Sequence, residues 1–388
     1  MGLPVVFVNQ VPSRPLLDTA QALAERGHDV TLLTASSRLS RPLRGVATVG
    51  LCEYDSRTYA SRLRSWLWFT AQAAWALLTT PASAVVVVCT NPPLMPHAAA
   101  LVGMIRRFAC VVRVLDVYPD VLLATGYGRR AWLVRWLAWW NRWTFARSAA
   151  ITTLGQTMAT TVATYAETSR IQVIPEWITV ASEKSHSARK PRSSRFTVLA
   201  AGNLGLTHDL SPLAQACRLL ADLEIDWIIS TDDLALMRTM FSGCPNVQIV
   251  PRLGNAEYTR ALIAADVGFI SLKPGAETAS FPSRIAAYLA HGLPVIAVTA
   301  RPSDLATIVE QGPCGVVVAP TSGGAGVAHA IRNLMSQPQA LAAFSQAGRS
   351  IAASDFNSTI CRNAFVALIE KTGIDRISRI RSRQAADA

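Results

Sequence analysis

The residues with the clearest chemical use lie in the second half of the chain. Ser280-Phe281-Pro282-Ser283-Arg284 leads into an apolar stretch that closes at His291-Gly292, ahead of the strand-like Pro294-Val295-Ile296-Ala297. Pro282 and Ser283 suit the opening of a helix over Ser283 to Ala290, where unpaired N–H groups and a positive dipole end favour an anion. Arg284 adds a planar fork of donors matched to phosphate oxygens. Taken alone, a Pro-Ser pair is better explained by ordinary capping than by a ligand. A second place of this kind is the loop Gly202-Asn203-Leu204-Gly205 with His208 beyond it. Its glycines let the backbone approach a ligand closely, although the spacing is not that of the dinucleotide fingerprint. In the first half, Asp116 and Asp120 bracket Tyr118-Pro119 just past an apolar run. A carboxylate at a strand end can orient a hydroxyl or take its proton. It can equally cap a helix or pair with an arginine. His97 and His291 read as structural.

The elements that must position these residues follow from periodicity. Strands are expected over 4–9, 30–34, 84–89, 110–115 and 150–153, with an amphipathic helix over 16–26. Unbroken Val/Ile runs indicate strands buried on both faces, as in a parallel sheet covered by helices. After the polar, basic segment 181–195 the alternation restarts, with strands at 196–200, 227–230, 247–250, 267–272, 294–298 and 315–318. Helices are expected over 210–223, 256–265, 283–290, 302–311, 326–335 and about 359–369. Two doubly wound α/β domains result, over 1–180 and 196–370, joined by a linker at 181–195 and followed by a basic tail at 371–388. The last helix can pack back on the N-terminal domain.

Composition narrows the function classes. The 388 residues carry 37 basic and 25 acidic side chains, a net charge of +12. The excess lies before residue 196, and the first 180 residues hold 17 arginines, no lysine and 9 acids. One half is therefore suited to an anionic surface. No helix-turn-helix, zinc or RNA-binding signature accompanies the charge, so nucleic acid is not an expected partner. The seven cysteines form no C-x-x-C pair and the histidines no H-E-x-x-H cluster, so no metal site is expected. Mean hydropathy is +0.27, but no apolar run reaches the roughly 20 residues of a membrane span. Without a basic, cleavable leader the expected location is cytoplasmic. Half of the ten tryptophans fall between Arg129 and Arg147. On a helix, Trp132, Trp136, Trp139, Trp140 and Trp143 share one face, bordered by Arg135 and Arg142. Such a face suits the headgroup boundary of an anionic membrane more than a core, with Trp66 to Trp75 as a second contact.

Several motifs together carry a resemblance that none carries alone. Gly202-Asn-Leu-Gly205, Tyr258 to Val267 and Phe281-Pro-Ser-Arg284 with Tyr288-Leu-Ala-His-Gly-Leu-Pro-Val295 resemble family 4 glycosyltransferases. So do Arg26-Gly-His-Asp-Val-Thr-Leu-Leu-Thr34, Thr90-Asn-Pro-Pro-Leu94 and Leu115-Asp-Val-Tyr-Pro-Asp120. The chain looks most like the bacterial branch that builds O-antigen, capsule and exopolysaccharide. The resemblance implies the GT-B fold, two Rossmann-like domains facing across a cleft. It also implies retaining transfer from a nucleoside-diphosphate sugar to a hydroxyl acceptor, commonly carried on a polyprenyl diphosphate lipid, with no further cofactor. By position, Gly202, Asn203, Gly205, His208, Phe281, Pro282, Ser283 and Arg284 fall at the donor diphosphate, and Arg252 near the nucleoside. Asp116 and Asp120 are the catalytic candidates, while Asn91, Pro92 and Tyr118 fall on the acceptor side. The two glutamates of many relatives correspond to Ala279 and Ala287, with Glu277 two positions before the first. This enzyme would work peripherally on the inner face of the membrane.

Two other functions share parts of this pattern. A GT-B nucleotide-sugar epimerase needs acid/base side chains clustered at the sugar carbon, and no carboxylate-rich cluster lies near Pro282. A catalytically impaired protein with a lipid- or partner-binding role would fit Ala279 and Ala287.

Overall fold

The computed structural model describes residues 2–36, 43–55, 57–126, 131–178, 195–202 and 207–386. The chain divides into two compact units, Met1–Pro119 with Arg130–Glu176 and Ser358–Ala388, and Asp120–Arg129 with Trp177–Asn357.

The first unit is built on seven strands: β1 (Pro4–Val8), β2 (Asp29–Ala35), β3 (Val46–Leu51), β4 (Val85–Cys89), β5 (Ala109–Arg113), β6 (Ala150–Thr153) and β7 (Ile171–Val173). They lie in the order β3-β2-β1-β4-β5-β6-β7, every pair parallel. Its helices are α1 (Arg14–Glu25), α2 (Tyr59–Leu77), α3 (Met95–Arg106), α5 (Ala131–Arg147) and α6 (Gln156–Val162). The short α4 (Asp120–Ala124) groups with the second unit.

The second sheet runs β10-β9-β8-β11-β12-β13, again all parallel. Its strands are β8 (Phe196–Ala200), β9 (Ile225–Thr231), β10 (Val247–Pro251), β11 (Val267–Ser271), β12 (Val295–Val298) and β13 (Gly315–Val318). Helices α7 (Ser211–Leu219), α8 (Leu234–Met240), α9 (Asn255–Ala264), α10 (Arg284–Ala290), α11 (Asp304–Gln311), α12 (Gly323–Ser336) and α13 (Pro338–Ser354) alternate with them. Both orders reverse direction after the first strand of their unit, the doubly wound pattern whose ligands sit beyond the strand ends at the reversal. Central strands β4, β5, β8 and β11 are buried at every position, as their unbroken apolar runs require.

The expected strands all form, and β3 and β7 add to them. Both are outer strands; β3 is mostly exposed, so neither presents a long apolar run. The last helix, α14 (Ser358–Ala386), continues through the segment read as a tail and belongs to the first unit. Arg26 and His28, from the Arg-Gly-His-Asp stretch, each reach Glu370 of α14 at 3.0 Å. His28 Nδ1 accepts from the Leu3 N–H, so Nε2 carries the proton given to Glu370. That motif is therefore a clasp for the returning helix.

In the second unit Asp266 makes a similar structural tie. The Thr197 N–H donates to its Oδ2 and its own N–H donates to the Thr197 carbonyl, both at 2.9 Å, joining the starts of β8 and β11. At Gly268 on β11, an added Cβ would lie 2.3 Å from the Tyr288 ring. Gly268→Ala is expected to cost about 1–3 kcal/mol by overpacking. Thermal unfolding checks this, with a midpoint fall of about 2–4 °C per kcal/mol. Gly254→Ala, where the nearest atom is 3.7 Å away, serves as the control.

Candidate functional site

The second unit gathers a charged cluster at its strand reversal. β8 ends at Ala200, and Ala201 and Gly202 continue beyond it. Tyr288, wholly buried on α10, clasps this turn: its hydroxyl donates to the Ala201 carbonyl and accepts from the Ala201 N–H, each at 3.1 Å. One helical turn earlier Arg284 sits 8% exposed, with its Nε 3.6 Å from where a Gly202 Cβ would stand. Gly202 has φ +110°, a conformation that glycine alone adopts freely. Burial lowers the pKa of Arg284, against the opposing pull of the Tyr288 and Tyr258 phenols. It remains a cation, as arginine does in proteins.

His208 faces the same group. Its Nδ1 lies 2.6 Å from the Ser271 carbonyl at the end of β11. A carbonyl only accepts, so Nδ1 carries the proton and Nε2 keeps its lone pair. Burial, aided by the Arg284 and Lys273 charges, pushes the His208 pKa down to about 3. His208 is thus neutral, where the positional likeness places it at the donor diphosphate. Its free lone pair is suited to a hydroxyl donor. Lys273, just past β11, brings a second positive charge; the preceding Ser271 Oγ bonds both the N–H and the carbonyl of Asp209.

The remaining expected donor-site residues divide. Phe281 and Pro282 are buried, Phe281 with its ring 6.4 Å from that of Phe356. Ser283 is exposed and makes no side-chain cap, so α10 begins one residue later than its capping pattern suggests and spans only seven residues. The glutamate positions Ala279 and Ala287 are both packed in the interior. Glu277 keeps Oε2 buried without a hydrogen-bond partner. Arg252 is 60% exposed and pairs with Asp232 at 3.8 Å on the surface, while its charge still reaches Tyr258. Asn203 and Gly205 lie outside the described residues, as does most of the 181–195 linker. Lys273, Tyr258 and Tyr288 were not among the expected site residues. The pairing of β8 with β11, the His208–Ser271 bond and the Tyr288–Ala201 clasp bring 201–202, 207–208, 271–273 and 284–288 together.

In the first unit, β4 and β5 end side by side. Thr90 Oγ1 accepts from the N–H groups of Leu115 and Asp116, at 3.0 and 3.2 Å, fixing the turn that carries Asp116. Asp116, Tyr118, His97 and Asn141 line a small cavity there, and the Asn141 amide donates to the Tyr118 carbonyl. Asn91 and Pro92 follow β4, Asn91 half-buried and Pro92 buried. Asp120 opens α4 and groups with the second unit. His97 bonds Thr144 at 2.6 Å and meets the Trp140 ring edge-on at 5.1 Å, while burial lowers its pKa to about 4. It is structural, as its apolar sequence setting suggested.

The tryptophan helix α5 forms as expected, with a corrected face. Trp132, Trp136 and Trp139 are exposed, at 64, 44 and 57%, and Arg135 and Arg142 lie beside them. Trp140 instead turns onto His97, its ring meeting the imidazole edge-on while its centroid still lies 5.1 Å from that of Trp136. Trp143 is half-buried under the Arg147 guanidinium, 4.3 Å from its ring. Among the described residues no helix is long and apolar enough to cross a membrane.

The comparisons with known proteins agree with this architecture. A glycosyltransferase from Rickettsia africae ESF-5 superposes with TM-score 0.68 at 12% identity, over 96% of this chain and 98% of that one. WaaG, a glycosyltransferase involved in lipopolysaccharide biosynthesis, matches with TM-score 0.68 at 16% identity, over 94% and 99%. Anabaena HepE, solved with UDP-glucose, matches with TM-score 0.69 at 14% identity, over 95% and 100%. None of the curated protein sequences matches the chain. The two parallel sheets and these likenesses define the GT-B fold. Residues 13–182 match the model of Glycosyltransferase Family 4 and are similar to it over that stretch.

The two depressed imidazoles give a pH dependence with a definite sign. An unfolded histidine takes a proton near pH 6.5, whereas folded His97 and His208 resist it down to about 4 and about 3. Their stabilisation is present above the unfolded value and is lost as pH falls below it. Urea unfolding between about pH 7 and about pH 4.5 is expected to show a steeper loss of stability in the wild type than in His97→Gln. Equal slopes would contradict the assignment.

Proposed function

We propose that the chain transfers a sugar, with retention, from a nucleoside-diphosphate sugar to a lipid-linked glycan in bacterial surface polysaccharide synthesis. The donor site is carried by one observation: the buried Arg284 guanidinium at the β8–β11 reversal, beside Gly202, His208 and the Lys273 charge. A desolvated cation acts on an anion far more strongly than one in water. Arg284 and Lys273 therefore bind the diphosphate and stabilise the charge it gains as its bond to the sugar breaks. His208 Nε2 accepts from a sugar hydroxyl. Glu277 Oε2, buried without a partner, takes a hydroxyl of the ribose or the sugar in place of the glutamate lost at Ala287. The likeness to HepE, solved with UDP-glucose, supports a donor of this class. No further cofactor is needed for this chemistry.

The first unit receives the acceptor. Asp116, held by Thr90 beside Tyr118, orients the acceptor hydroxyl and is placed to take its proton as the new bond forms. Asn91 and Pro92 border the same strand ends, and Asp120 supplies a second carboxylate four residues on. The exposed Trp132, Trp136 and Trp139 with Arg135 and Arg142 hold this unit to the cytoplasmic face of an anionic membrane, where a polyprenyl-diphosphate acceptor resides. The likeness to WaaG supports a place in surface glycan assembly.

Titration calorimetry with nucleoside diphosphates tests the donor site. Arg284→Ala is expected to weaken binding about 10- to 100-fold, the worth of a charged hydrogen bond. Lys273→Ala, at a less buried position, is expected to weaken it about tenfold. Undiminished binding in both would remove the assignment. Saturable binding without release of nucleoside diphosphate from any donor, with membrane extract as acceptor, would favour an impaired enzyme instead.

A further inference from the structure

Beyond α5, the same side of the first unit carries two more helices of the same character. α3 packs against both α2 and α5. None of the three contains an aspartate or glutamate, whereas they hold Arg62, Arg64, Arg106, Arg135, Arg142 and Arg147. α2 exposes Leu63, Leu67, Trp68 and Trp75, and α3 exposes Leu101, Met104 and Ile105. Exposed apolar side chains gathered on one layer mark an interaction surface rather than ordinary scatter.

The end of this layer meets the returning C-terminal helix. Arg106 Nε donates to the Thr80 carbonyl at 3.1 Å and Arg376 Nε to the Ala82 carbonyl at 3.0 Å. α3 and α14 thus grip the same short connection between α2 and β4. Arg379 and Arg383 follow Arg376 at i+3 and i+7, on one face of α14. Arg107 closes α3 with φ +60°. Burial lowers the pKa of Arg376, and the nearby charges of Arg383, Arg379 and Arg107 push it in the same direction. The most exposed apolar residues of the two neighbouring helices, Trp75 at 77% and Ile105 at 71%, stand at the same ends of α2 and α3.

We propose that this corner, formed by Trp75, Ile105, Arg107, Arg379 and Arg383, is a lipid-phosphate site through which the C-terminal helix anchors the first unit to an anionic bilayer. The proposal rests on the membrane reading of α5 and extends it to a second anchor. Charge complementarity selects the occupant. Guanidinium groups accompany apolar tips here: α2 and α3 hold no carboxylate, and at the end of α14 Asp375 is outnumbered by Arg376, Arg379, Arg381 and Arg383, which matches phosphates lying above acyl chains. A free phosphate would have no use for Trp75 and Ile105.

The test is sedimentation of the full chain with phosphatidylcholine vesicles, with and without phosphatidylglycerol. Each arginine near such a surface strengthens binding about fivefold. Arg379→Glu combined with Arg383→Glu is therefore expected to lower affinity for the anionic vesicles at least tenfold. Residual binding should lose much of its salt dependence, with thermal unfolding unchanged. Trp75→Ser combined with Ile105→Ser should weaken binding on an independent, uncharged footing. If the arginine pair changes nothing while Trp132→Ala, Trp136→Ala and Trp139→Ala together abolish binding, the α5 reading survives and this corner is refuted. Loss in the arginine pair but not in the tryptophan triple would support the corner and remove α5 as the anchor. A wild type that ignores all vesicles, or that self-associates through Trp75 and Ile105 instead, overturns the proposal.

Discussion

The charged cluster of the second unit depends on the clasp between the Tyr288 hydroxyl and both backbone groups of Ala201. A strand end at a sheet reversal has no neighbour to fix its course, and here a buried phenol supplies two bonds at once. The clasp has a steric requirement, since the Tyr288 ring occupies the space a side chain at Gly268 would take. It also has a consequence. Tyr288 and Arg284 are one turn apart on α10, so holding the phenol against Ala201 holds the guanidinium against Gly202. A buried charge is costly to maintain, and a packed, hydrogen-bonded helix start is what keeps it in place.

Around that cation the site separates charge from hydrogen bonding. Lys273 adds a positive charge, while burial holds His208 neutral and the bond from Nδ1 to the Ser271 carbonyl sets its tautomer. The cluster therefore offers two cations and a neutral acceptor rather than three cations. The arrangement suits a ligand that is anionic at one end and hydroxylated at the other.

The first unit divides its basic charge by helix. Arg26 is spent on holding α14 through Glu370, and Arg113 is buried 4.9 Å from the Phe365 ring of the same helix. The arginines of α2, α3 and α5 instead accompany exposed tryptophan, leucine and isoleucine, with no acids among them. One arginine-rich composition therefore divides in two, part tying the C-terminal helix down and part lying among exposed apolar side chains.

Much of this is legible in the amino-acid sequence. Central strands such as β4 and β8 occupy the expected residues, because a strand buried on both faces must be apolar throughout. The outer β3 leaves little trace in the sequence because its side chains are mostly exposed. The Arg284 segment and the His208 region are marked by residue type and motif order. Their chemistry is not: the tautomer of His208 depends on the Ser271 carbonyl and its charge on burial, and Lys273 joins the cluster through the pairing of β8 with β11. Likewise the tryptophan stripe is readable from spacing, but the contact of Trp140 requires the presence of His97 on a different helix. Local pattern determined which residues form elements and which carry charge. Tertiary structure alone decided which of them meet, because burial, tautomer and effective charge are properties of neighbours distant in the chain.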